Sequence, residues 1–112
     1  MQDRRSEPRF MCADLVKIRI EEAAGVREVV ANLEDISPSG AGIQMEVAAL
    51  EGADVGIQCA SGWLNGKVMY CRFDELGFQV GIAFAEPRSW TPKRFLPKHL
   101  LRVPVSNRAS AR

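Results

Sequence analysis

The chain has 112 residues, 46% of them hydrophobic and 26% charged, with a formal net charge of +1. That suits one domain with a modest core, and no apolar run approaches the roughly 20 residues of a membrane helix. The polar start Met1-Gln2-Asp3-Arg4-Arg5 lacks the apolar region of a secretory signal, so the expected compartment is the cytoplasm, with no stable membrane insertion.

Residues 1–10 read as a flexible arm. Charges crowd its first nine residues, and Pro8 pushes Glu7 away from helix. In Asp14-Leu15-Val16-Lys17-Ile18-Arg19-Ile20 the apolar Val16, Ile18 and Ile20 alternate with Lys17 and Arg19, the period of a half-buried strand. Residues 21–25 read as a turn, and residues 26–34 as the returning strand, with Val29, Ala31 and Leu33 on one face. Asp35 to Gly40 is a turn by its chemistry: aspartate and serine bond nearby backbone, Pro38 fixes φ, and Gly40 permits positive φ. Residues 41–47 alternate again. A short helical or irregular stretch at 48–52 leads to a strand at 54–60, and a turn-rich start at 62–66 leads to a strand ending at Phe73. Residues 74–77 close a hairpin onto Phe78, Val80, Ile82 and Phe84, which share a face. Gly81 on that strand leaves room for another backbone or a ligand.

Short strands joined by turns indicate an antiparallel barrel or sandwich. After residue 88 the pattern changes. Thr91 with Pro92 could start a helix, which Pro97 limits to a turn or two, and residues 98–102 could add a second turn. The organisation expected is an arginine arm over 1–10, a barrel over 11–87, and a basic helical turn and tail over 88–112.

The near-neutral charge hides an asymmetry. Residues 10–87 hold five basic against twelve acidic side chains, a net of −7, while residues 88–112 hold seven basic side chains and no acid. Such a tail either docks on an acidic partner, an anionic membrane or nucleic acid, or lies solvated beside the acidic body. Its apolar Trp90, Phe95, Leu96, Leu100 and Leu101 could dock on a partner or pack on the barrel itself. A nucleic-acid-binding barrel would show aromatics among basic strands. Here the strands are acidic overall and the phenylalanines are expected inside, so no nucleic acid is expected as a partner.

Cys12, Cys59 and Cys71 are widely spaced, and His99 is the sole histidine. They offer no zinc spacing and no nucleophile beside a base. Neither a metal site, a cofactor nor an enzyme activity is expected. Buried thiols are the expected fate of Cys59 and Cys71.

Two motifs remain. Arg4-Arg5-Ser6-Glu7-Pro8-Arg9 holds an RxxxR pattern, Arg5 to Arg9, with one more arginine in front. Asp35-Ile36-Ser37-Pro38-Ser39-Gly40 is a DxSxxG pattern. Their order and spacing, with strands after them and Val80-Gly81-Ile82-Ala83-Phe84 closing the sheet, resemble the PilZ family of cyclic di-GMP receptors over roughly residues 4–86. The resemblance implies a mainly all-β protein, a six-stranded antiparallel PilZ-type β-barrel with a short C-terminal helical segment, of the kind that stands alone. It implies that cyclic di-GMP is bound where the arm folds against the DxSxxG turn, and that the protein is an effector rather than an enzyme. Arg5 and Arg9 would take phosphate and Hoogsteen contacts, while Asp35, Ser37 and Gly40 would line the guanine site. Arg4, directly before RxxxR, implies an intercalated pair of ligands, two per chain. Arginine forks onto phosphate or guanine O6/N7 and stacks on bases, and aspartate accepts from guanine N1–H and N2–H₂. Arg72 is a further candidate contact. The output would serve motility, biofilm or exopolysaccharide machinery through an unidentified protein partner. The alternative is a PilZ-like adaptor that needs no ligand.

Overall fold

The computed structural model describes residues 7–60 and 62–103. Seven strands follow in chain order: β1 (Arg9–Glu22), β2 (Gly25–Ser37), β3 (Gly40–Met45), β4 (Asp54–Cys59), β5 (Gly62–Asp74), β6 (Gly77–Phe84) and β7 (Leu101–Val103). All pairings are antiparallel, in the order β2-β3-β6-β5-β4-β1-β7, and β2 also pairs with β1. That last pairing closes β1 to β6 into a six-stranded barrel, and closure removes the exposed edges of an open sheet. β7 is a short addition to the start of β1, where Arg9 faces Val103 and Met11 faces Leu101.

The alternation seen in the sequence is the inside–outside alternation of the barrel. Ile18, Ile20, Leu33, Ile43, Ile57 and Val80 are fully buried. Tight hairpins join β1 to β2 and β5 to β6, where Glu22 pairs with Gly25 and Asp74 with Gly77. Gly77 has φ of 128°, a region that residues with a Cβ rarely enter. The stretch after β3 is irregular and is tied to the β1–β2 hairpin. Arg27 donates to Glu22 Oε1 at 3.1 Å and to the Ala48 carbonyl at 2.9 Å, and Glu22 Oε2 accepts from Leu50 N–H at 3.0 Å.

Three register shifts interrupt the ladders: between Met11 and Asp14 against β2, between Leu33 and Asp35 against β3, and between Val68 and Tyr70 against β6. Each adds one residue to one strand, which turns the following side chain to the other face. Two of them flank the groove described below.

The chain after β6 corrects the expected helical segment. No helix occurs among the described residues. Thr91 starts a single turn, its carbonyl accepting from Arg94 N–H at 3.0 Å and Phe95 N–H at 3.3 Å. Residues 101–103 extend as β7 rather than coiling. This strap packs on its own barrel. Trp90 is 0% exposed, meets the Phe10 ring edge-on at 5.2 Å, and donates its Nε1–H to the Phe95 carbonyl at 2.8 Å. Phe95 and Leu100 lie against the core, while Leu96 stays exposed.

The expectation that the phenylalanines are inside fails at Phe73, which is 76% exposed near the tip of the β5–β6 hairpin and touches Phe78 edge-on at 5.3 Å. The neighbouring Arg72, Glu75 and Leu76 are exposed as well. Cys59 is buried, whereas Cys71 is only half-buried. Cys12 donates to the Leu33 carbonyl at 3.5 Å, and its thiol is pushed up to about 11 by burial and by the nearby charges of Asp35, Asp14 and Glu34.

Candidate functional site

A strand alternates strictly, yet Leu33 and Ile36, three residues apart, are both fully buried. The extra residue in β2 between the partners of Ile43 and Gly42 makes this possible. It turns Asp35 outward, between Met11 of β1 and Gly42 of β3. The carboxylate rests on Gly42: a Cβ there would lie 2.7 Å from Asp35 Oδ2. Burial raises the Asp35 carboxyl above its ordinary 3.8, and Glu34 adds to this. The Arg9 charge and a hydrogen bond from the Gly42 backbone act in the opposite sense.

The DxSxxG motif forms the end of β2, a two-residue turn and the start of β3, with Ser37 opposite Gly40. Ser37 Oγ reaches the Gly40 carbonyl oxygen at 3.4 Å, a long contact that leaves the hydroxyl open to a better partner. The turn is held from outside. The Ser39 carbonyl accepts from Phe84 N–H at 2.8 Å, and the Pro38 carbonyl from Trp90 N–H at 3.5 Å. Gly40 corrects an expectation. Its backbone is not in the positive-φ region, and it is needed for proximity: a Cβ would stand 2.4 Å from the Ile82 carbonyl oxygen.

Arg9, the first residue of β1, is exposed and makes no hydrogen bond or ion pair with the described residues. Glu7 lies just before it and accepts a hydrogen bond from Ser39 Oγ at 2.6 Å. Arg4 and Arg5 fall outside the described residues.

These parts line one open groove of about 420 Å³, with Arg9 and Glu7 on one side, Asp35, Ser37, Gly40 and Gly42 along it, and Met69, Tyr70, Gly81 and Ile82 across from them. Gly81 also differs from expectation. The space above it is filled by a neighbouring ring, since a Cβ would meet Tyr70 Cε2 at 2.2 Å. The shift between Val68 and Tyr70 puts Tyr70 opposite Gly81, and the Arg72 guanidinium lies 4.5 Å from the ring centroid. The groove therefore offers a carboxylate, a hydroxyl, a guanidinium and an aromatic ring.

A second groove of about 570 Å³ adjoins the first at Met69. Its charges are already matched: Lys67 with Asp54 at 2.7 Å, Arg19 with Glu21 at 3.5 Å, and Arg19 over the Trp63 ring at 4.4 Å. The smaller groove keeps its cation unpaired among the described residues, and so is the better candidate site.

Of the residues anticipated for the site, Arg9, Asp35, Ser37 and Gly40 come together here. Gly42, Tyr70, Glu7 and Ser39 were not anticipated. The parity break from Leu33 to Ile36 was a readable sign of the bulge, whereas the meeting of Tyr70 with Gly81 depends on strand register. Among the described residues no group of three or more histidine, cysteine or carboxylate side chains could hold a metal ion, and no helix is long and apolar enough to cross a membrane.

No curated protein matches the chain. The family model for the PilZ domain matches residues 3–95, spanning both motifs, all six barrel strands and the turn after Thr91. The chain belongs to the PilZ domain family.

Proposed function

We propose that the protein binds cyclic di-GMP in the groove between the arginine arm and the DxSxxG turn, and relays the signal to motility, biofilm or exopolysaccharide machinery as a small effector. The observation that carries this reading is the convergence on one open groove of an exposed arginine, Arg9, that makes no hydrogen bond or ion pair with the described residues, and an outward carboxylate, Asp35, that feels its charge. A ligand with two phosphates and two guanines needs both kinds of group. Arg5 and Arg9 fork onto phosphate oxygens or the O6/N7 edge of guanine. Asp35 accepts from the N1–H and N2–H₂ edge. Ser37 supplies a hydroxyl, and Gly40 lets the turn sit close against the Ile82 carbonyl of β6. Tyr70 lines the groove, and a base can stack on its ring in the place over it that the Arg72 guanidinium takes in the ligand-free protein. Arg4 adds a cation for a second, intercalated ligand, giving two molecules per chain. The protein needs no cofactor and performs no chemistry on its ligand.

Calorimetric titration with cyclic di-GMP, with GTP and cyclic GMP as controls, tests this reading. Selective binding with two ligands per chain, falling to one in R4A, is the expected result. A folded sample that binds none of the three overturns it.

A ligand-independent adaptor is the second reading. The exposed Phe73 and Leu76 at the β5–β6 hairpin favour it, since apolar side chains held in water are ready contacts for a protein partner. Titration separates the two, because the adaptor reading expects no ligand binding.

A further inference from the structure

Both motifs contain positions that their patterns leave open. Glu7 is one such position in RxxxR and Ser39 another in DxSxxG. The structure joins them: Ser39 Oγ donates to Glu7 Oε1 at 2.6 Å, across 32 residues of sequence. The hydrogen bond is charge-assisted, and that class is shorter and stronger than neutral ones.

Both ends of the contact are well placed to fix the arm. On the turn side, Ser39 is one of only two residues between β2 and β3, and its carbonyl is held by Phe84 N–H at 2.8 Å. On the arm side, only Pro8 stands between Glu7 and the start of β1 at Arg9, and proline fixes its own φ. The chain from Glu7 to Arg9 is therefore held at both ends, by Ser39 and by the β1–β2 ladder that begins at Phe10 opposite Ile36. Arg9 issues from this short bridge over the groove.

We infer that Glu7 and Ser39 form a latch that seats the arginine arm on the DxSxxG turn before ligand arrives, so that both are positioning residues for the anionic ligand. The inference rests on the proposed site. A bare carboxylate among phosphate-binding groups would repel the ligand. Engaged with Ser39, Glu7 keeps its charge but holds residues 7–9 in place before binding. A ligand that meets this ordered stretch does not bear the entropy of ordering it. An exposed charge repelling a phosphate across a wet groove is screened by salt, so pre-ordering outweighs repulsion.

The test is a double-mutant cycle on ligand affinity, with hydrogen exchange on the ligand-free protein. S39A and E7A should each weaken cyclic di-GMP binding about three- to tenfold, the size expected for one lost hydrogen bond. The double variant should be no weaker than the worse single one, because both remove the same contact. E7Q, which keeps an acceptor for the Ser39 hydroxyl, should recover most of the loss, and melting temperatures of the single variants should fall by no more than the several degrees that one lost hydrogen bond costs a domain of this size. E7A binding as tightly as wild type or tighter, or single losses that add, overturns the latch. Without ligand, the Glu7 and Arg9 amides should exchange faster in S39A than in wild type, and equal rates also overturn it. Wild-type protein that binds no cyclic di-GMP while S39A still accelerates exchange refutes the proposed function and leaves the latch standing.

Discussion

Asp35 and Gly42 form the central contact of the groove: the carboxylate of one occupies the space where a side chain of the other would begin, with Oδ2 only 2.7 Å from an added Cβ. The bulge in β2 turns the carboxylate outward, and the missing side chain in β3 lets it settle against the sheet and accept a backbone hydrogen bond. In G42A the carboxylate has to move, and with it the contact to guanine that the proposed site gives it. We expect cyclic di-GMP binding to fall at least tenfold. Stability should change by less than about 1 kcal/mol, because the crowding is offset by alanine's advantage over glycine in a strand. Calorimetry and urea unfolding check the two parts separately.

Asp35 sets the pH behaviour. Its carboxyl is raised in the folded protein, chiefly by burial, so the folded state holds the proton more tightly than the unfolded chain. Unfolding stability falls with rising pH wherever the folded state binds more protons. Asp35 thus lowers stability as pH rises from 3.8 through its raised value, and the ionised carboxylate is a standing cost above that range. D35N should therefore melt higher than wild type at pH 7 while losing ligand affinity. Guanine's N–H donors require the ionised form, so wild-type affinity should weaken as pH falls through the same range and binding should release a proton there. Titration in buffers of different ionisation heat measures that proton. Affinity in wild type that does not weaken as pH falls toward the ordinary 3.8 of a carboxyl of this kind would refute the role given to Asp35.

The barrel was legible because its walls alternate. Val16-Lys17-Ile18-Arg19-Ile20 needed only period two, and the β5–β6 hairpin was marked by Asp74 to Gly77. The four described motif residues were legible by pattern. What the sequence hid depends on register and long-range contact. Gly40 and Gly81 were expected to serve backbone freedom or an incoming ligand, yet Gly40 makes room for the Ile82 carbonyl and Gly81 for the Tyr70 ring. Neither partner is within 10 residues in sequence. The strap was misread as helical because Thr91-Pro92 is a sound helix start. Local preference gave way to the burial of Trp90 and the pairing of β7 with β1.

Tyr70 should matter through its ring. Removing it in Y70A takes away the surface for a stacked base, worth about 1–3 kcal/mol per base in comparable sites, so affinity should fall roughly five- to 150-fold on that basis. Y70F keeps the ring and should bind within about twofold of wild type. A loss in Y70F as large as in Y70A would show that the hydroxyl carries the contact. G81A should resemble Y70A, since the added methyl displaces the ring.

Arg9 makes no hydrogen bond or ion pair with the described residues, and its charge acts on the fold only by favouring the ionised Asp35 carboxylate, so its removal should cost little stability. R9A should unfold at a urea concentration close to, and no higher than, that of wild type and lose about ten- to 100-fold in affinity, the size expected for a hydrogen bond between charged groups. R9K should recover only part, because an ammonium lacks the fork that matches phosphate or guanine. R5A should behave as R9A does. Wild-type affinity in either variant removes that arginine from the site.

The strap should prove part of the fold. Trp90 is buried against Phe10 and hydrogen-bonded to the Phe95 carbonyl, so W90A leaves a large void and an unsatisfied acceptor. Substitutions of this kind cost about 3–5 kcal/mol, a large share of a small domain's stability. W90F keeps most of the apolar volume and should cost nearer 1 kcal/mol, the value of the lost hydrogen bond. Phe10 follows Arg9 directly, and β7 pairs across both, so a loosened strap also loosens the strand end that carries the site's arginine. Urea unfolding measures the first effect. Titration of W90F, which stays folded, measures the second, with a two- to fivefold weaker affinity expected for about 0.5–1 kcal/mol of lost support. If truncation after Pro87 leaves the melting temperature unchanged, the strap contributes nothing to the barrel and both expectations fail.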